Sequence, residues 1–205
     1  MRPRKSEAVL ESARGLFLAK GFEATTVDEI ADRAHVSKAT VYSNFPDKAA
    51  LLTSLLDRVA VESAAILARV VAPLDGPGSV EDRVVDTAVA LARGVLRPEV
   101  LQLRRLAVAE STRFPAAVAD WFERGPGSSL RLLAASFDAM ARRGLLVLDD
   151  PDDAAARFAY AVVGPLQDRA LLTGTAPADA EVVRFATAAA AAFLAAHRGG
   201  DADDR

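Results

Sequence analysis

Between Thr26 and Lys48 the chain carries three helix starts in close succession, and the first two leave room only for short helices. Thr26-Val27-Asp28-Glu29 is a capping box, in which the threonine hydroxyl can accept the third backbone N–H while Glu29 reaches back to the cap residue. The helix it opens ends near Ala34, and His35-Val36 form a turn. Ser37 caps a second helix from Lys38 to about Asn44, which Pro46 stops by disfavouring helical geometry at Phe45. Asp47 caps a third, from Lys48 to about Val71. Upstream, Lys5 to Lys20 puts Val9, Ala13, Leu16 and Phe17 on one face. Gly21 stands where a left-handed C-cap belongs, with Phe22 placed to fold back onto the last turn.

Two short helices joined by a turn and buttressed by another make a helix-turn-helix, whose second helix enters the major groove of DNA. That helix must keep apolar residues inward, to hold its angle, and show small or polar groups outward. Residues 37–45 meet both demands. Val41 and Phe45, spaced i and i+4, can pack on Ile30, Ala31 and Ala34. Lys38, Thr40, Tyr42, Ser43 and Asn44 are left for DNA, and Ala39 is small enough to let the backbone come close. Hydroxyls such as those of Thr26, Ser37, Thr40, Ser43 and Tyr42, and the helix's first N–H groups, suit phosphate oxygens. Asn44 suits an adenine edge, and Lys48 a backbone phosphate. Charge adds little: residues 1–48 hold eight Lys/Arg against seven Asp/Glu, in a chain of net charge −3.

The remainder reads as helices separated by Gly and Pro. Pro73, Gly76, Pro77 and Gly78 form the clearest linker, and helices follow at about 80–96, 98–111, 115–123, 128–144, 152–172 and 177–197. Gly164-Pro165 is expected to kink the fifth of these. No cysteine is present, which excludes disulfide and thiolate chemistry. No charge-free apolar run reaches bilayer length, the stretch from Thr187 to Ala196 being too short, and no signal peptide is visible, so a cytoplasmic chain with no membrane partner is expected.

The stretch from Thr26 through Ile30-Ala31, Ala34, Val36-Ser37-Lys38, Thr40, Tyr42 and Phe45 to Lys48, preceded by Phe22-Glu23-Ala24-Thr25, strongly resembles the signature of TetR-family transcriptional regulators over about residues 5–55. Glu110-Ser111-Thr112-Arg113-Phe114-Pro115, with Trp121-Phe122-Glu123-Arg124-Gly125-Pro126, looks like the C-terminal domain of an AefR-like subgroup. The resemblance implies an all-α protein: a three-helix DNA-binding domain at 1–50, a linking helix at 48–71, and a helical bundle at 51–198 for ligand binding and dimerisation. Residues 199–205 are expected to be a disordered acidic tail. It implies a homodimeric, ligand-responsive repressor on a palindromic double-stranded operator, paired through helices 152–172 and 177–197. The stripes Ala156, Ala159, Val163, Leu166, Ala170 and Val182, Val183, Ala186, Ala190, Phe193, Leu194 suit such an interface.

The effector is expected to be largely apolar, and Phe114, Trp121, Phe122, Phe137 and Tyr160, with Arg104 for an acidic group, are candidates to line its pocket. Helical aromatics are also ordinary core. No cofactor or metal is expected. His35 and His197 stand alone, and Asp149, Asp150, Asp152 and Asp153 lie around Pro151, where acids complement a helix start. An enzyme is the main rival, but no Glu-x-x-His, Gly-rich phosphate loop or nucleophile–base pair can be named. A helical adaptor, or a family member that has lost DNA binding, remain as alternatives, separable by a salt-dependent shift of duplex DNA.

Overall fold

The computed structural model describes residues 3–198, with side chains described from Lys5 onward except at 62–68; the expected acidic tail at 199–205 lies outside the described residues. Among the described residues ten α-helices follow in order: α1 (Pro3–Lys20), α2 (Val27–Arg33), α3 (Lys38–Tyr42), α4 (Lys48–Val71), α5 (Val80–Val95), α6 (Pro98–Glu110), α7 (Pro115–Phe122), α8 (Ser128–Arg142), α9 (Pro151–Thr173) and α10 (Asp179–His197). A 3-10 turn, Ala72–Asp75, follows α4. Among the described residues the only β pairing is an isolated bridge between Leu146 and Arg198. The all-α expectation holds.

The chain forms two compact units, and they do not follow a single cut near residue 50. One comprises Met1–Glu62 and Gln102–Arg124, the other Ser63–Leu101 and Gly125–Arg205. A stretch assigned by sequence to the C-terminal bundle therefore belongs with the first helices. The reason is apolar burial: Leu103, Leu106, Ala107 and Trp121 join Val9, Phe17, Phe22, Ile30, Val41 and Leu51 in one core.

The second unit has its own core, centred on three phenylalanines. Phe137 stacks on Phe193 at 4.8 Å between ring centres, and Phe158 meets both edge-on at 5.3 and 5.0 Å. Against them pack Val84, Ala88 and Ala92 of α5, Val162, Val163, Leu166 and Ala170 of α9, and Val182, Ala186 and Ala190 of α10. By length and apolarity alone α10 is enough to cross a membrane, yet 28% of that stretch is buried in the chain, and this buried share belongs to the core.

One local feature departs from the sequence reading. Between α7 and α8 a break is expected at Pro126, but the chain continues through a π turn, Glu123–Gly127. Proline offers no N–H to this turn, and the hydroxyls of Ser128 and Ser129 donate to the Gly125 carbonyl at 2.8 and 3.1 Å. α9 contains Pro165 within a single helix. The four aspartates around Pro151 start α9: Asp150 accepts from the backbone N–H groups of Asp152 and Asp153, and Asp153 pairs with Arg157.

Candidate nucleic-acid interface

Helices of five and seven residues are marginal in isolation, so α2 and α3 depend on caps and on what holds them from behind. Thr26 accepts from the Glu29 N–H at 3.3 Å, while Glu29 accepts from the Thr26 N–H at 2.8 Å and hydroxyl at 2.9 Å. Lys20 also binds Glu29, and these hydrogen bonds, Lys20's above all, pull the Glu29 carboxyl down to about 2. Arg33 closes α2, and the Val36 N–H then reaches the Ala31 carbonyl at 3.0 Å and the His35 N–H that of Asp32 at 3.1 Å. This is a Schellman close with His35 in the left-handed position, φ 53°, where glycine is usual.

Ser37 caps α3, its oxygen accepting from the Thr40 N–H at 3.1 Å. From behind, Val41 and Phe45 are 1% and 7% exposed in the core that contains Ile30 and Ala31, with Ala34 packed against it. The opposite side of α3 shows Lys38, Ala39, Tyr42 and Ser43, with Tyr42 45% exposed. The two-sided arrangement expected for residues 37–45 is present.

The nine expected DNA-contacting residues are nevertheless not equivalent. Thr26 is exposed, with its hydroxyl in the capping box. The Ser37 and Thr40 hydroxyls are 2.9 Å apart and bonded to one another. Ser43 donates to the Thr40 carbonyl at 2.9 Å. Asn44, half-buried, donates its amide to that carbonyl at 2.6 Å and to the Ser43 hydroxyl at 3.2 Å, so it does not present the donor an adenine edge needs. Lys38 pairs with Asp28 at 2.8 Å, an exposed ion pair that raises the lysine's affinity for its proton. Lys48 lies apart from this group: its ammonium donates to the carbonyls of Phe22, Glu23 and Thr25 at 2.7, 3.3 and 2.9 Å. Partial burial pushes its pKa down.

The six expected pocket residues are divided between the two units. Arg104, Phe114, Trp121 and Phe122 belong to the first unit, Phe137 and Tyr160 to the second. Phe114 packs edge-on against Phe22 at 5.1 Å. Trp121 is core and Phe122 faces outward. Phe137 is sealed within its aromatic cluster, and Tyr160 is 57% exposed. The second unit holds a small apolar cavity of about 20 Å³, lined by Val70, Val71, Leu91, Leu130, Leu133 and Ala159, with Ser129 its one polar residue. None of the six lines it. Nothing in the sequence signals it, because its lining residues look like any other buried helix positions.

The interface stripes also need correction. Val163, Leu166, Ala170, Val182, Ala186, Ala190, Phe193 and Leu194 form the second unit's own core, and Ala156, Ala159 and Val183 are half-buried. The faces of α9 and α10 left open carry instead Tyr160, Ala161 and Leu172, and Ala188, Ala191, Ala192 and Ala195. An apolar stripe on a helix does not say which partner will cover it.

The chain matches two family descriptions: bacterial regulatory proteins of the tetR family over residues 9–55, and the C-terminal domain of AefR-like transcriptional repressors over residues 82–198. It is similar to a helix-turn-helix-type transcriptional regulator of Bacillus subtilis, 37% identical over 108 residues, which are 51% of this chain and 50% of that protein. The chain thus matches about half the length of that curated relative. Its structure resembles that of a TetR-family transcriptional regulator from Mesorhizobium loti, with 30% identity, 97% of this chain and 99% of the other covered, and a TM-score of 0.90. It also resembles a flavonoid-responsive regulator, FrrA, at 31% identity and a TM-score of 0.74, over 95% and 97% of the two chains.

Proposed function

Since this chain belongs to the TetR family of bacterial regulatory proteins, whose members are transcription regulators and not enzymes, we propose that it is a cytoplasmic, effector-responsive repressor that binds a near-palindromic operator as a homodimer. The observation that carries the reading is α3: Val41 and Phe45 are anchored in the core while Lys38, Ala39, Tyr42 and Ser43 face outward. Two such helices about 34 Å apart would read successive major grooves. Lys38 is able to exchange Asp28 for a phosphate, because an exposed ion pair holds it with little net energy. The dimer would form through the open faces of α9 and α10, whose alanines permit close helix approach.

The effector is an apolar small molecule. Similarity to a flavonoid-responsive regulator and the apolar lining of the cavity support that class. A cavity of about 20 Å³ is far below the roughly 300–1,000 Å³ of a ligand pocket. An effector that entered this cavity would favour a conformation more open than this one, which is how it would shift the operator-binding population. Release from mostly bound to mostly free takes roughly 5 kcal/mol of differential affinity.

The test is titration of the protein onto a duplex taken from the DNA immediately upstream of its own coding sequence, at several salt concentrations, with the mass of the complex measured. Steeply salt-dependent binding of two chains per duplex is expected, and the combined variant Lys38→Ala, Tyr42→Ala should lose it. Absence of any shift, or unchanged binding by the double variant, would overturn the reading.

A further inference from the structure

Lys48 stands at the first position of α4, directly after Asp47, whose side chain caps that helix by accepting from the Ala50 N–H at 2.7 Å. An ammonium has three hydrogens, and here three carbonyls, those of Phe22, Glu23 and Thr25, lie within 2.7–3.3 Å of the nitrogen. The same nitrogen sits 4.3 Å from the centre of the Phe22 ring. These carbonyls belong to the segment that leaves α1 through Gly21, φ 84°, and delivers Thr26 to the start of α2. The segment is bound from other sides too. The Thr25 hydroxyl donates to the Gly21 carbonyl at 2.8 Å, Arg113 pairs with Glu23 and lies over Phe22, and Phe114 packs on that ring.

We propose that Lys48 is a positioning residue for operator binding: it latches the 22–25 segment to the first turn of α4, and thereby sets where α2 and α3 stand, without touching DNA phosphate itself. A phosphate contact would require the ammonium to give up at least one of three carbonyls already in place. The inference rests on the reading of α3 as the DNA-contacting helix, but the latch itself can be read without DNA.

Two variants of the full chain separate the roles. Lys48→Met keeps the aliphatic stem and removes all three donors. Lys48→Arg keeps the charge, but its planar fork cannot converge donors from one nitrogen on three carbonyls, whereas it serves phosphate well. Amide hydrogen exchange is measured on the free protein, and binding to the upstream duplex across a salt series. The latch predicts that both variants fold, that amides at 22–29 exchange faster by about tenfold or more in each, and that both lose about tenfold or more in affinity with the salt slope unchanged. Wild-type binding by Lys48→Arg, or a slope in Lys48→Met reduced by about 0.9 per protomer, would make Lys48 a phosphate ligand and overturn the proposal. Unchanged exchange at 22–29 would overturn it whatever the DNA result, and failure of both variants to fold would reduce Lys48 to a general structural residue. If the wild-type chain binds no duplex while exchange responds as expected, the operator reading has failed and the latch has not.

Discussion

The two units hold their helices in place by different means. In the first, α2 and α3 are too short to be stable on their own, and directional polar contacts fix them: the Thr26–Glu29 box, the Ser37 cap, the Schellman close at His35 and the Lys48 carbonyl set. In the second, α5, α8, α9 and α10 are long enough to be held by volume, through the Phe137–Phe158–Phe193 cluster and the small residues around it. Directional contacts tolerate little displacement, which suits a surface that must match the spacing of phosphates and base edges. Volume-filling contacts accept rearrangement as long as total packing is kept, so under the proposed effector response it is this core that would open around a ligand.

That contrast can be broken or sharpened by three substitutions. The largest effect is expected from Phe137→Ala, which empties the centre of the aromatic cluster and should cost about 3–5 kcal/mol in denaturant unfolding. Because Phe137 lies in the second unit, exchange protection of α2 and α3 should persist in conditions where that unit is still folded. Loss of protection there in the folded protein would show that the two modes of stabilisation are not separate. Ser37→Ala removes the α3 cap and should cost about 1 kcal/mol, with faster exchange confined to residues near α3; an effect below a few tenths would mean that packing alone positions the helix. The smallest effect, and of opposite sign, is expected from Thr87→Val. Its hydroxyl is fully buried in α5 with no hydrogen-bond partner among the described residues, so an isosteric methyl should leave stability unchanged or raise it by up to about 1 kcal/mol. A clear loss on calorimetry would show that the Thr87 hydroxyl stabilises a unit whose helices are held mainly by volume.

The legible parts of the molecule are those with a local cause. Capping at Thr26 and Ser37, the left-handed Gly21 and the limits of α4 depend on residues within four positions of one another, so they could be read directly. The inward placement of Val41 and Phe45 followed from helical spacing alone. Lys48 illustrates the limit. Its position at a helix start suggested a phosphate contact, but its partners lie 23 to 26 residues earlier in the chain, beyond the reach of any local rule. Asn44 shows another limit: its amide donates to the Thr40 carbonyl four residues back in the DNA-free chain.

Helix order, the two capped short helices and the outward face of α3 were settled by the order of residues, because short-range hydrogen bonding and the helical period act within a turn or two of the chain. The tertiary structure alone decided that residues 102–124 join the first unit, that the apolar stripes of α9 and α10 turn inward, and that the six pocket candidates are divided between the two units. Apolar burial is non-directional: a stripe of alanines and valines carries no mark of which surface will cover it, and only the folded chain shows which surface does.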